Sequence, residues 1–163
     1  MAACAPIDAE LSRLVSGGIS ISLASCSPGG VPNMARGCGC RVAPDGRALT
    51  VLLVATPAAA LLDDVRRSGR VAVVFSQPST HFTVQFKGSD ARIVPTEADD
   101  PQRAADYVER FAAELAALGY PGDVLRTLLL ACPDDIVAIR FTLAAGYSQT
   151  PGPQAAAPLG GPA

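Results

Sequence analysis

The alternation of apolar and polar positions is clearest between Ser68 and Gly88. Val71 to Phe75 is continuously apolar and rich in valine, as in a strand buried on both faces. Pro78 sits at the centre of the following turn, where its fixed φ favours reversal. Beyond it, Phe82, Val84 and Phe86 alternate with His81, Thr83, Gln85 and Lys87. A period of two puts those four hydrogen-bonding side chains on one strand face. The row admits two readings: a solvated face of an antiparallel sheet, or a wall facing a polar ligand.

The rest of the chain supplies partners for this hairpin. Residues 19–24 alternate, 33–42 form a glycine-punctuated strand, and 49–54 are apolar and partly β-branched. Turns at Ser27–Pro32 and Pro44–Gly46 join them into an antiparallel meander. Residues 8–16 read as a short helix capped by Asp8. Thr56 followed by Pro57 predicts a second helix start, a hydroxyl cap and then proline at the first helical position. Its stripe is Ala58, Leu61, Leu62 and Val65, with Gly69 as the stop. The second hairpin strand is expected to run as far as Val94. A helix over 101–118 capped by Asp100, a second over 123–131 with Val124 and Leu128 inward, and a strand over 136–143 complete the set.

Six strands joined mostly by short turns predict a mainly β protein with peripheral α. They form a small antiparallel barrel with one inserted helix and a helical pair before the last strand. Residues 1–148 are read as one domain. Residues 149–163, rich in Pro, Gly and Ala, are read as a tail that is mobile unless it docks.

Composition narrows the function classes. With 163 residues, 49% hydrophobic and 17% charged, the chain has enough material for a real core. A net charge of -2 argues against general nucleic-acid binding, which rests on many phosphate contacts. No apolar run approaches the roughly 20 residues of a membrane-spanning helix, and no secretory signal is evident. The five cysteines are then expected to be free thiols in a reducing cytoplasm. Cys38 and Cys40 lack a second ligand pair, and His81 is the lone histidine, so no metal site is expected.

A dinucleotide fingerprint and a hydrolase elbow are both missing. Anion binding is better supported. Arg36 and Arg41 lie five apart on one strand, on opposite faces unless a bulge at Gly37 or Gly39 turns it. The helix start at Thr56 offers free N–H groups suited to a phosphate.

From Ile19 to Val94 the chain resembles the flavin-binding split-barrel family that includes pyridoxamine 5'-phosphate oxidase. The resemblance rests on an ordered set: ISISLAS with its PGGVP turn, ARGCGCRV, ALTVLLVATPAAALLDDV, and the hairpin RSGRVAVVFSQPSTHFTVQFKG. It implies a split barrel, a homodimer and FMN held at the subunit interface. It also implies a flavin-dependent oxidoreductase of unknown substrate, with no catalytic residue assigned. Arg36, Arg41, Thr56, His81, Thr83, Gln85 and Lys87 would be the cofactor-binding positions. Arg41 replaces the family's lysine, and no basic residue lies between Arg47 and Arg66, where relatives grip the phosphate. True pyridoxamine phosphate oxidation is not expected, because the oxidase's C-terminal substrate-binding Arg and His have no counterpart. His81 reads either as a proton donor near the ring or as a surface residue at the hairpin end. The alternative function is a non-catalytic dimer binding flavin, deazaflavin or haem on the same scaffold, the haem through His81. The QTPGP tail resembles a feature of an uncharacterised branch of the family and could cover the flavin edge.

Overall fold

A computed structural model describes residues 4–129 and 135–159. The strands are β1 (Ser20–Cys26), β2 (Pro32–Val42), β3 (Ala48–Val54), β4 (Val71–Ser76), β5 (Thr83–Gly88), β6 (Arg92–Val94), β7 (Ile136–Thr142) and β8 (Ala145–Ser148). The helices are α1 (Ala9–Val15), α2 (Ala59–Ser68), α3 (Asp100–Ala116) and α4 (Gly122–Leu129). All pairings are antiparallel, in the order β6-β7-β3-β2-β1-β4-β5-β8. The expected mainly β architecture is present, with eight strands in place of six. The hairpin's second strand ends at Gly88, and β6 turns away to pair with β7. β8 adds to the free side of β5.

Alternation along the strands builds the core. Ile21, Leu23, Val73, Phe75, Val84 and Phe86 point inward and are essentially buried. From the other half come Leu49, Val51, Leu53, Ile139 and Phe141. Phe75 and Phe86 meet edge to face at 6.2 Å between centroids. β4 buries only alternate residues, so it is half-buried rather than covered on both faces as its apolar run suggests. Its outward residues, Ala72 and Val74, remain partly open.

β2 contributes to both halves of the sheet and carries a bulge. Gly37 pairs with Leu53 and Gly39 with Leu52, leaving Cys38 as the extra residue. The parity change brings Arg36 and Arg41 onto one face, which α3 covers. Gly37 itself has no room for a side chain, since a Cβ there would lie 2.5 Å from Ile21.

Helix α2 starts later than expected. Residues 55–58 form a turn, Ala58 is the N-cap, and no side chain caps it. The carboxylate of Asp135 accepts the Thr56 N–H at 3.0 Å instead. Helix α3 is capped in position by Asp99, and Asp100 lies within its first turn. Helix α4 ends at Leu129; the expected Ala131 end lies outside the described residues, and so does Cys132. The other four cysteines are free.

Asp64 anchors α2 to the β1–β2 hairpin. Its buried carboxylate accepts from Ser25 Oγ and Asn33 Nδ2, each at 2.7 Å. Hydrogen bonds from Asn33 and Ser25, assisted by Arg67, hold its pKa below the ordinary carboxylate value. A depressed folded pKa gives stability that is present above the unfolded value and is lost as pH falls through the folded one. Asp64→Asn is therefore expected to lower the urea midpoint at neutral pH. The gap from the parent protein should close on acidification below about pH 3.9, the ordinary aspartate value. A gap that persists unchanged in acid would show that packing, not charge, is what Asp64 supplies.

Candidate functional site

The outward face of β1, β4, β5 and β8 is partly open to solvent. Its rows follow from the strand register. Arg36 pairs with Ser22, Ser22 with Val74, Val74 with Gln85, and Gln85 with Tyr147. The next row runs Met34, Ala24, Ala72, Lys87, Ala145. On the other side lie Ser20, Ser76 and Thr83. Small side chains at the centre make a flat floor, half-buried throughout. No carboxylate occurs at any of these positions.

Aromatic rings mark both borders of the floor. On the β2 side, the Arg36 guanidinium lies 5.5 Å from the centroid of the Phe111 ring on α3. Phe111 stacks on Tyr107 at 5.7 Å. The Tyr107 hydroxyl is buried and makes no hydrogen bond of normal geometry. Burial pushes its pKa up to about 12, against the pull of the Arg36 charge. On the β8 side, Lys87 Nζ lies 5.1 Å from the Tyr147 centroid. From Arg36 to Gln85 the floor spans three strand spacings, about 14 Å.

Four of the seven sequence-derived site residues converge here: Arg36, Thr83, Gln85 and Lys87. Thr83 Oγ1 lies 2.8 Å from Ser76 Oγ and donates to the His81 carbonyl. The Gln85 carboxamide makes no hydrogen bond among the described residues, which leaves it available. The other three lie elsewhere. Arg41 is paired with Glu97 and, at 2.9 Å, with Asp100. Thr56 gives its N–H to Asp135 and begins no helix, so the expected phosphate-ready helix start is not formed there. His81 is exposed in the turn, with φ 61 and its N–H bonded to the Gln77 carbonyl.

Sequence reasoning missed Tyr147 and Arg70. Tyr147 stands in a four-residue strand whose alternation is too short to read. Arg70 follows the left-handed Gly69 that ends α2, and the stop signal was legible although the direction of the next side chain was not.

Cys38 and Cys40 are buried thiols, and burial pushes each pKa to about 12. Such thiols are poor metal ligands and nucleophiles. Glu97, Asp99 and Asp100 cluster within 4.8 Å, but Arg41 and Arg103 answer their charge. A cavity of about 860 Å³ lies behind the sheet between α1 and the tail. Its walls include Leu11, Leu14, Phe82, Val84 and Leu159. Three of its polar residues already have partners: Asp8 caps α1, Arg13 bonds the Ala9 carbonyl, and Gln77 accepts from Thr80; Glu10 adds a carboxylate to the lining.

The tail docks. Gln149 N–H bonds the Thr83 carbonyl, Ala156 N–H bonds Ser148, and Leu159 N–H bonds Gly146. Tyr147 and Pro158 form a bridge beside β8.

No protein-family model matches the chain, and no curated protein matches its sequence. Solved structures do match its shape. HupZ from Group A Streptococcus superposes with a TM-score of 0.55 at 16% identity, covering 91% of this chain and 98% of HupZ. A candidate pyridoxamine 5'-phosphate oxidase from Lactobacillus delbrueckii gives 0.53 at 15% identity, covering 87% and 93%.

Proposed function

We propose that this chain, which has the pyridoxamine 5'-phosphate oxidase-like split-barrel fold, binds FMN on the outward face of β1, β4, β5 and β8 and serves as a flavin-dependent oxidoreductase. The observation that carries the reading is the carboxylate-free floor of small side chains bordered by Arg36 and Lys87. A planar ring needs an unobstructed floor, and an anionic ligand needs cations without competing acids. The residues fit on both counts. Gln85 offers a free carboxamide to a polar ring edge, and Thr83, Ser22 and Ser76 add hydroxyls. FMN when bound would supply hydride or electron transfer, and the chain's own residues would bind, orient and shield it.

A homodimer in a cytoplasmic setting is part of the same proposal. Met34 is 75% exposed on the Ala24 row, and Val31 is 61% exposed at the tip of the same hairpin. A second copy would cover them and exclude water from the floor. No helix among the described residues is long and apolar enough to cross a membrane. A non-catalytic ligand-binding dimer is the second reading. It is favoured by the engagement of Arg41 and the Thr56 N–H, which removes two phosphate contacts.

The test is FMN titration followed by flavin fluorescence quenching, with the visible spectrum of the purified protein alongside. Arg36→Ala should weaken FMN about tenfold, the equivalent of roughly 1.4 kcal/mol. Saturable binding without turnover of any electron donor would favour the second reading. No binding at high micromolar FMN would remove the FMN reading.

A further inference from the structure

At one end of the floor the surface dips into a cleft of about 560 Å³. Its lining includes Arg70, Lys87, Tyr147, Ser89 and Ala72, with no carboxylate among the lining residues. Arg70 and Lys87 are exposed, and neither enters an ion pair among the described residues. The acidic groups nearby in sequence are already occupied. Asp64 stands behind Ser25 with its hydrogen bonds from Ser25 and Asn33. Asp90 accepts from the Thr142 N–H at 2.8 Å and its hydroxyl at 2.7 Å.

Backbone geometry fixes where the two cations stand. Gly69 adopts φ 62 as the C-cap of α2, and a Cβ there would meet the Ser89 carbonyl at 2.9 Å. The chain therefore leaves α2 tight against the β5–β6 turn, with Arg70 next in line. Lys87 is flanked across the sheet by Ala72 and Ala145, whose short side chains leave room around the ammonium group. Its seat beside Tyr147 limits its freedom, so less is lost when a ligand arrives.

We propose that this cleft is an oxyanion subsite in which Arg70 and Lys87 clasp a phosphate-class group of the ligand on the floor. The proposal rests on the flavin reading only for the identity of the remainder of that ligand. It locates an anion grip at the C-terminal end of α2, the opposite end from the helix start that lacks basic residues and whose Thr56 N–H Asp135 occupies. Two sources could provide the oxyanion: the flavin's own phosphate, or a phosphorylated second ligand lying beside the flavin.

The experiment uses inorganic pyrophosphate as the probe, titrated calorimetrically at constant ionic strength, on the full chain and on Arg70→Gln/Lys87→Gln. Both positions are exposed, so the variant should fold; circular dichroism checks this. Saturable binding that weakens at least tenfold in the variant is the expected result. Equal binding in both proteins, or none in the parent, overturns the subsite. FMN and riboflavin titrations then identify the source. A tenfold preference for FMN that the variant abolishes, with pyrophosphate competing, assigns the flavin phosphate. Pyrophosphate binding undisturbed beside bound flavin assigns a second ligand. Pyrophosphate binding without any flavin binding leaves the subsite standing and removes the flavin reading alone.

Discussion

Arg41→Ala should destabilise the protein by about 3–5 kcal/mol, the range for removing one partner of a buried ion pair. Asp100 is fully buried and Arg41 only 16% exposed. The same Asp100 oxygen that meets Arg41 also accepts the Glu97 N–H at 2.8 Å. Without the guanidinium, a carboxylate is left in the wall between α3 and β2, with only Arg103 near it at 3.7 Å. The fall in Tm should be on the order of 10 °C for a chain of this size. Replacing both partners, as in Arg41→Met/Asp100→Leu, should recover much of the loss, because the desolvation cost then disappears as well. A single variant as stable as the parent in chemical denaturation would mean the pair is effectively solvated and contributes little.

Gly18→Ala should be comparably damaging for a different reason. A Cβ at Gly18 would run into the backbone carbonyl carbon of Arg110 and lie 2.6 Å from the N of Phe111. Those are main-chain atoms of α3, so relief requires the whole helix to shift. Overpacking of this kind costs about 1–3 kcal/mol, and rigid backbone puts this case at the upper end. The shift would also carry Phe111 away from Arg36. FMN affinity should consequently fall in Gly18→Ala, although Gly18 is not part of the floor. Unchanged stability together with unchanged affinity would show that α3 does not set the position of Arg36.

How legible these features are in the sequence depends on the range of the forces that produce them. The hairpin from Val71 to Gly88 is legible because alternation is a local signal, and Thr83, Gln85 and Lys87 share a face as their spacing requires. β6 and β8 are not, since three and four residues give no pattern to count. Gly37 and Gly39 each permit a bulge, and the structure makes Cys38 the extra residue. Arg41 finds Asp100 59 positions away, so nothing around Arg41 announces the pairing. The Thr56–Pro57 signal is genuine helix-start chemistry, overridden by Asp135 from a distant segment. The tail has no hydrophobic pattern because mainly backbone groups hold it, and backbone groups are the same in every sequence.

That docked tail bears on how copies of the protein can meet. A sheet with a bare outer strand invites another chain to extend it. Here β8, the last strand on one side, has the Gly146 carbonyl and both backbone groups of Ser148 hydrogen-bonded to Leu159, Ala156 and Ala157. On the opposite side the outermost strand, β6, is three residues long and carries Arg92, features that discourage strand addition. Growth of the sheet from chain to chain is therefore disfavoured in both directions. Contacts through the broad faces need no open strand edge, so they are the route that the two protected edges leave free.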